Sequence, residues 1–342
     1  MADVTIYGLI DQAYQSSKAT VTDSGGTVTS LKSTTIAGTN NGGSVIGFKG
    51  SEDLGSGMKA YFQQEIGLNT NSNGGPGTST PGYENRNSFV GLSGGFGSLQ
   101  IGRQYSFAFY NVLANDPMGF SGVSGYLPYA GGVGGVARTD NMMVYTLPSM
   151  LPGLNVQIEK SFGGASTSAT DSVKAGDGTG WAINYTTGGL YVGFTSDSKT
   201  GGTYADPFAG STVLTTIAPT AYAGTAGDKI KNSSATITYD LGIAKIGYGT
   251  AKTSFAYEST SNKADAYSVT VPVNTAFSVF YSSTSATFTN TTDGSAKMKG
   301  SQYGARYALS KRTTAYLDSG KMSVNGAADS VSGYAIGIQH AF

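Results

Sequence analysis

The last ten residues, GYAIGIQHAF from Gly333 to Phe342, constrain the fold of this chain more than any other stretch. Read in twos, Tyr334, Ile336, Ile338, His340 and Phe342 fall on one face, and Gly333, Ala335, Gly337, Gln339 and Ala341 on the other. Side chains alternate across a strand, so one face is apolar with an aromatic at each end and the other is small or polar. Such a strand fits a bilayer, with one side to lipid and aromatics at both interfaces. No apolar run approaches the roughly 18 residues of a membrane helix. A membrane protein of this kind has to be a closed β-barrel, because unpaired backbone groups cannot be satisfied in lipid.

Composition agrees. Only 39 % of residues are hydrophobic and 12 % charged, while Gly reaches 51. A soluble chain of this length should bury a larger apolar core; a barrel with a wet interior needs only an apolar outer face. Long all-β barrels form single domains, so residues 1–342 are expected to be one unit. Lys plus Arg equals Asp plus Glu at 21 each, which gives no global attraction to nucleic acid. Cysteine is absent, so disulfides, thiol nucleophiles and Cys-based metal sites are excluded. The chain starts MADVTIYG, and Ala2 or Asp3 is read as the mature start after removal of a secretory signal, with Met1 added for expression.

Period-two alternation recurs along the chain. Val4 to Tyr14 opens it, and Ser16 to Gly43, rich in Ser, Thr and Gly, reads as a solvated loop. Further strands are expected at Ser44–Gly50, Met58–Leu68, Arg86–Leu92, Ser98–Arg103, Asp140–Leu147, Leu154–Glu159, Trp181–Tyr185 and Leu190–Thr195. The series continues at Ala235–Tyr239, Ile243–Tyr248, Tyr267–Val271, Ala276–Tyr281, Gln302–Leu309, Thr313–Ser319 and Gly333–Phe342. That makes sixteen strands. Short turns such as SEDLGSG (Ser51–Gly57) follow every even-numbered strand but the last, and longer loops fill the other connections. Strict sorting of connections by length is the habit of an antiparallel transmembrane barrel with periplasmic turns, external loops and both termini on the periplasmic side. A soluble sandwich has no reason to follow it.

Three blocks carry a resemblance: DVTIYGLID at the start, SVIGFKGSEDLGSGMKAYFQQE, and NRNSFVGLSGGFGSLQIGRQ, with the terminal Phe342. They resemble the neisserial and β-proteobacterial general porins and lie mainly in residues 3–104. The resemblance implies a bacterial outer-membrane location, a sixteen-stranded barrel that assembles as a homotrimer, and a third external loop folded into the pore. It also implies a ladder of lumenal basic residues facing carboxylates on that loop, and a C-terminal aromatic read by the outer-membrane assembly machinery. Outer-membrane lipid and lipopolysaccharide, small hydrophilic solutes and ions are the partners it brings. Arg86 and Arg138 match basic lumenal positions of that family. Where the family commonly has another basic residue, this chain has Val45, which weakens the case for strong anion selectivity.

Strand number alone argues for permeability, since sixteen to eighteen strands leave an aqueous channel. The narrowest point is expected from Gln104 to Thr139, between the fifth and sixth strands. Phe107, Phe109, Tyr110, Val112, Leu113, Met118, Phe120, Tyr126, Leu127 and Tyr129 there call for burial, against the inner wall or as a lid outside the barrel. Asp116 is the loop's sole carboxylate, and so the candidate acidic side of a constriction whose basic side is Arg86 and Arg138. Lys49 shares the inward parity of Val45 and Gly47. Glu65 is a further candidate, with a solvated rim charge as its alternative. Arg103 shares the parity of the outward Leu99 and Ile101, and its other role is to anchor the base of the third loop. Tyr334 and Phe342 bracket the closing strand.

Other chemistry finds no support. The lone histidine, His340, sits on the outward face of the last strand, far from a triad geometry. Glu52 and Asp53 are adjacent in a turn and point apart, and GGVGG lacks the lysine of a phosphate loop. No enzyme activity and no cofactor are expected; carboxylates in external loops have the oxygen chemistry for calcium but no spacing that singles out a site. The rival readings are a substrate-specific channel and, from another class, a surface adhesin without conductance.

Overall fold

The computed structural model describes residues 3–22, 26–38, 43–68, 83–119, 137–163, 176–200, 229–255, 261–290, 294–324 and 329–342. Each period-two segment forms a strand. The first half contains β1 (Asp3–Thr22), β2 (Val28–Ala37), β3 (Val45–Gly55), β4 (Met58–Leu68), β5 (Tyr83–Gly94), β6 (Gly97–Tyr105), β7 (Arg138–Thr146) and β8 (Leu154–Ser161). The second contains β9 (Gly178–Thr187), β10 (Leu190–Thr200), β11 (Lys229–Asp240), β12 (Lys245–Phe255), β13 (Ser261–Pro272) and β14 (Phe277–Asn290). It ends with β15 (Gly294–Ala308), β16 (Thr313–Val324) and β17 (Ser330–Ala341). Among the described residues one helix, α1 (Phe107–Leu113), interrupts the series between β6 and β7.

Apart from β2 and β3, consecutive strands pair antiparallel, and β17 returns to β1 from Leu9 opposite Ala341 to Thr20 opposite Ser330, which closes the sheet. β2 and β3 are two lengths of one stave. β2 pairs with the loop-side half of β1, and β3 with the half near the N-terminus. The seventeen strand segments therefore make a sixteen-stave antiparallel barrel, as the sequence predicts. At the seam the amide of Phe342 donates to the Gly8 carbonyl at 3.0 Å and the Gly8 amide donates back at 3.1 Å. The Phe342 ring covers Gly8 on the outer face, where an added Cβ would stand 2.3 Å from Cζ.

Burial is inverted relative to a soluble protein. Ile336 is 56 % exposed while its neighbour Ala335 is fully buried, and Ile6, Val90, Phe194 and Leu317 are exposed in the same way. Inward positions hold Thr195, Asn232, Ser234, Thr284 and Gln302, all buried. So continuous a band of large exposed apolar side chains is stable only against lipid.

Two expectations about extent change. Ser16 to Gly43 is not a loop throughout: β1 runs to Thr22 and pairs with β2. Likewise β11, β13, β14, β15 and β16 extend well past their expected loop-side ends. The added residues, such as SSTSATFTN at the end of β14, put Ser, Thr and Lys at most outward positions and mix Ser, Thr and Asn with Ala and Met inward. Alternation of hydrophobicity records lipid on one side; where both sides are wet it vanishes, although backbone pairing continues and Thr suits a strand. The expected turn Ser51–Gly57 is correspondingly tighter, because β3 runs on to Gly55. There Gly55, Ser56 and Gly57 take positive φ and the Gly55 amide donates to Asp53 Oδ1 at 2.8 Å.

Candidate pore constriction

Beyond β6 the chain turns inward. Ser106 caps α1 by accepting from the Phe109 amide at 3.2 Å, which satisfies one of the free N–H groups at the helix start. Phe107 packs on Met142, Val144 and Ala182, while Ala108 and Val112 join a cluster with Ala251, Ala264 and Ala266 of β12 and β13. These wall residues share the inward parity of the buried Thr and Ser rows, so residues 106–118 lie against the inner wall. Small wall residues create the room. Gly193 leaves space for Asn111, whose amide donates to the Gly193 carbonyl at 3.3 Å and to Ser234 Oγ at 2.8 Å and whose Oδ1 accepts from Tyr191 at 3.1 Å. Gly247 does the same for Asn115, which donates to the Ala266 carbonyl at 3.1 Å and accepts from Ser268 at 2.7 Å.

Asp116 follows this anchor. Its Oδ1 accepts from the Met118 amide at 2.9 Å and from Gln302 Nε2 at 3.2 Å, and its charge acts on Arg306 and Asp318. Nearby, Tyr316 donates to Asp11 Oδ1 at 2.6 Å. Asp116 of the third loop and Asp318 of β16 act on Arg306 of β15, and Asp11 of β1 acts on Asp318, so the four make one acidic sector.

The adjoining sector, on β3, β4, β5 and β7, is basic. Glu65 accepts from Tyr7 at 2.8 Å and Asn87 at 2.8 Å, Gln63 donates to the Tyr7 hydroxyl at 2.7 Å, and Lys49 stands 5.1 Å over the Tyr7 ring. Arg86 lies flat on the wall, where a Cβ on Gly43 would be 2.6 Å and one on Gly67 2.7 Å from guanidinium nitrogens. Arg138 sits 4.9 Å over the Tyr105 ring and donates to its hydroxyl at 3.4 Å. Tyr110 reaches from α1 toward this sector, where its hydroxyl bonds Asn87 and senses Glu65 and Arg138. Half of its surface meets the lumen, yet desolvation raises its hydroxyl to about 12 against the opposing pull of Asn87. It stays neutral at physiological pH.

Many inward residues on β10 to β15, such as Thr195, Ser234, Ala251, Ala264 and Gln302, are buried, whereas Lys49, Gln63, Glu65, Arg86 and Arg138 keep access to the lumen. Beneath them a cavity of about 380 Å³ is lined by Thr5, Lys49, Tyr61, Gln63, Phe89 and Gln100. Of the expected site residues, Arg86, Arg138, Lys49 and Glu65 come together. Asp116 stands on the other sector, and Arg86 and Asp318 are five staves apart around the sheet. Arg103 lies at the loop base instead, paired with Asp140 and donating to the Asn85 carbonyl at 2.9 Å. The bulge at Gly102, with φ +142°, shifts the β6 register there. Tyr334 and Phe342 hold the outer face of the seam. Arg306, Asp318, Tyr7 and Tyr110 complete the ring unforeseen, although the inward parity of Arg306 and Asp318 was legible in period two. Phe120, Tyr126, Leu127 and Tyr129 lie outside the described residues.

A family profile described as Gram-negative porin matches residues 1–327. The "Major outer membrane protein P.IB" of Neisseria meningitidis serogroup A is 47 % identical over 103 residues, which is 30 % of this chain and 29 % of that protein. The protein of the same name from Neisseria gonorrhoeae is 45 % identical over 103 residues, 30 % and 27 % of the two chains. Among solved structures, an anion-selective porin from Comamonas acidovorans superposes with a TM-score of 0.74 at 20 % identity over the whole of both chains. OmpF of Salmonella typhi in complex with daunomycin reaches 0.71 at 16 % identity over 99 % and 97 % of the chains, and OmpT of Vibrio cholerae in a trimer form reaches 0.67 at 16 % over 100 % and 99 %. With a closed sixteen-stave sheet, an apolar exterior and a profile match over nearly its full length, the chain belongs to the Gram-negative porin family and resides in the bacterial outer membrane.

Proposed function

We propose that the barrel is a general-diffusion porin, a homotrimer whose water-filled channels pass small hydrophilic solutes and ions without a catalytic step. The observation that carries this reading is the closed sixteen-stave sheet, with α1 lying against its inner wall. The OmpT relative is described in a trimer form, and the same assembly is assigned to this chain. Phe342, seated on Gly8 at the seam, serves as the aromatic that the assembly machinery reads. Calcium in the external loops is not part of the reading.

The open side of the lumen carries Arg86, Arg138 and Lys49 against Glu65, while the acidic sector of Asp11, Asp116 and Asp318 surrounds Arg306. A field directed from one sector to the other orders permeating ions, and the surplus of cations on the open side favours anions modestly. Purified protein in a planar bilayer under a salt gradient tests this. Conductance should rise in groups of three steps with a reversal potential on the anion side. Silence from folded, inserted protein would overturn the porin reading, and saturable block by one solute would replace it with a substrate-specific channel.

A further inference from the structure

On the open side of the lumen, two inward rows lie between the constriction and the periplasmic turns. In the first, Lys49 of β3, Gln63 of β4 and Phe89 of β5 stand opposite one another. The second, nearer the turns, holds Asp3, Ser51, Tyr61, Gly91 and Gln100. Both rows line the recess of about 380 Å³ beneath the constriction. Phe89 is out of character there. Its inward neighbours along β5 are Asn87 and Gly91, and across the sheet it faces Gln63, so an apolar ring stands in a polar, wetted wall.

Rings and charge are set apart at a distance that one small molecule spans. Tyr61 lies flat on Gly91, where an added Cβ would stand 2.4 Å from Cζ, and its ring meets Phe89 edge to face at 6.3 Å and 83°. Both rings are half-buried and line the recess, so neither is fully covered by the other. Lys49 is exposed, its ammonium resting 5.1 Å over the Tyr7 ring, and among the described residues it makes no ion pair. Two staves separate Lys49 from Phe89, about 10 Å across the sheet. A six-membered ring seated on Tyr61 and Phe89 and carrying one carboxylate bridges that interval. Gln63 lies between the two ends, and Gln100 borders the ring side. Asp3, exposed at the periplasmic rim, repels a second carboxylate. The volume falls within the range of small-molecule pockets, about 300–1,000 Å³.

We infer that this recess binds aromatic monocarboxylates of the benzoate type as they cross the pore. Lys49 holds the carboxylate through a charge-assisted hydrogen bond, Tyr61 and Phe89 hold the ring, and the two glutamine amides meet ring substituents that hydrogen-bond. The inference rests on the channel reading and deepens it by naming a favoured solute class. Binding is weak, on the order of 1 mM, because a site in a conducting path has to release what it takes.

4-Fluorobenzoate is the probe, and broadening of its fluorine resonance by purified protein in a neutral detergent reads binding without any current. Wild-type protein should broaden the line, and benzoate should displace the probe. Acetate and terephthalate should fail to displace it at the same concentration, and cyclohexanecarboxylate should compete several-fold less well than benzoate. Lys49→Gln should weaken binding about tenfold. Phe89→Leu, which keeps apolar bulk and removes the ring, should weaken it about fivefold. Equal binding by wild type and both variants, or equal displacement by benzoate and cyclohexanecarboxylate, overturns the inference. If F89L fails to fold, K49Q and the competitor series on wild type decide. Conducting channels that leave the probe line sharp would sink this inference and leave the porin reading standing. Absence of conductance with probe binding intact would count against the porin reading alone.

Discussion

At the scale of single residues, missing side chains matter as much as those present. Arg86 rests where Gly43 and Gly67 leave the wall bare, and Phe342 rests on Gly8. Replacing Gly8 with Leu puts carbon where the Phe342 ring now lies. The yield of heat-stable folded barrel on gel electrophoresis should fall, with no change in pore chemistry for whatever still folds. Substituting Arg86 and Arg138 together with Ala should move the reversal potential toward cations under a salt gradient, and Glu65→Gln should move it the other way. An unchanged potential in the double variant would take both arginines out of the constriction. Tyr110 gives a signed pH statement. An acid raised to about 12 stays neutral well into the alkaline range, so Y110F and wild type should show the same conductance profile from about pH 7 to about pH 10.

At the scale of elements, α1 is the piece of the third loop that lies against the inner wall. Two asparagines bind it to the wall, Asn111 on β10 and β11 and Asn115 on β13. Removing either leaves buried polar partners unsatisfied, at a cost of about 1–3 kcal/mol. The double variant N111A/N115A should release α1 from β10, β11 and β13. Single-channel recordings should then show larger, noisier conductance, with the barrel itself retaining its thermal stability. The need to bury the third loop was legible in Phe107, Val112 and Met118. The helix was not, because seven residues with aromatics at three positions have little intrinsic helicity without the Ser106 cap and the wall.

At the scale of the whole molecule, closure is the decisive event. Twelve register pairs join β1 to β17, so the last stave leaves no edge unpaired in lipid. Deleting Phe342 removes the two backbone hydrogen bonds to Gly8 together with the ring. Outer-membrane trimers of the truncated chain should drop several-fold on native gels, and a normal yield would separate the residue from assembly.

Period-two alternation, turn chemistry and the inside-out composition determined the barrel, the number of staves and the lipid-facing parity, because each strand is solvated differently on its two faces and that difference is written residue by residue. The sequence also named Arg86, Arg138, Lys49 and Asp116 as charges of the lumen. Which charges meet was decided by the tertiary structure. Arg86 and Arg138 share a sector with Glu65 and Tyr7, Asp116 goes to Gln302 and Arg306, and Arg103 drops out to Asp140 at the loop base. Neighbourhood around a closed sheet depends on register, on the bulge at Gly102 and on where the small wall residues let α1 lie, and no local pattern encodes contacts between residues 186 positions apart.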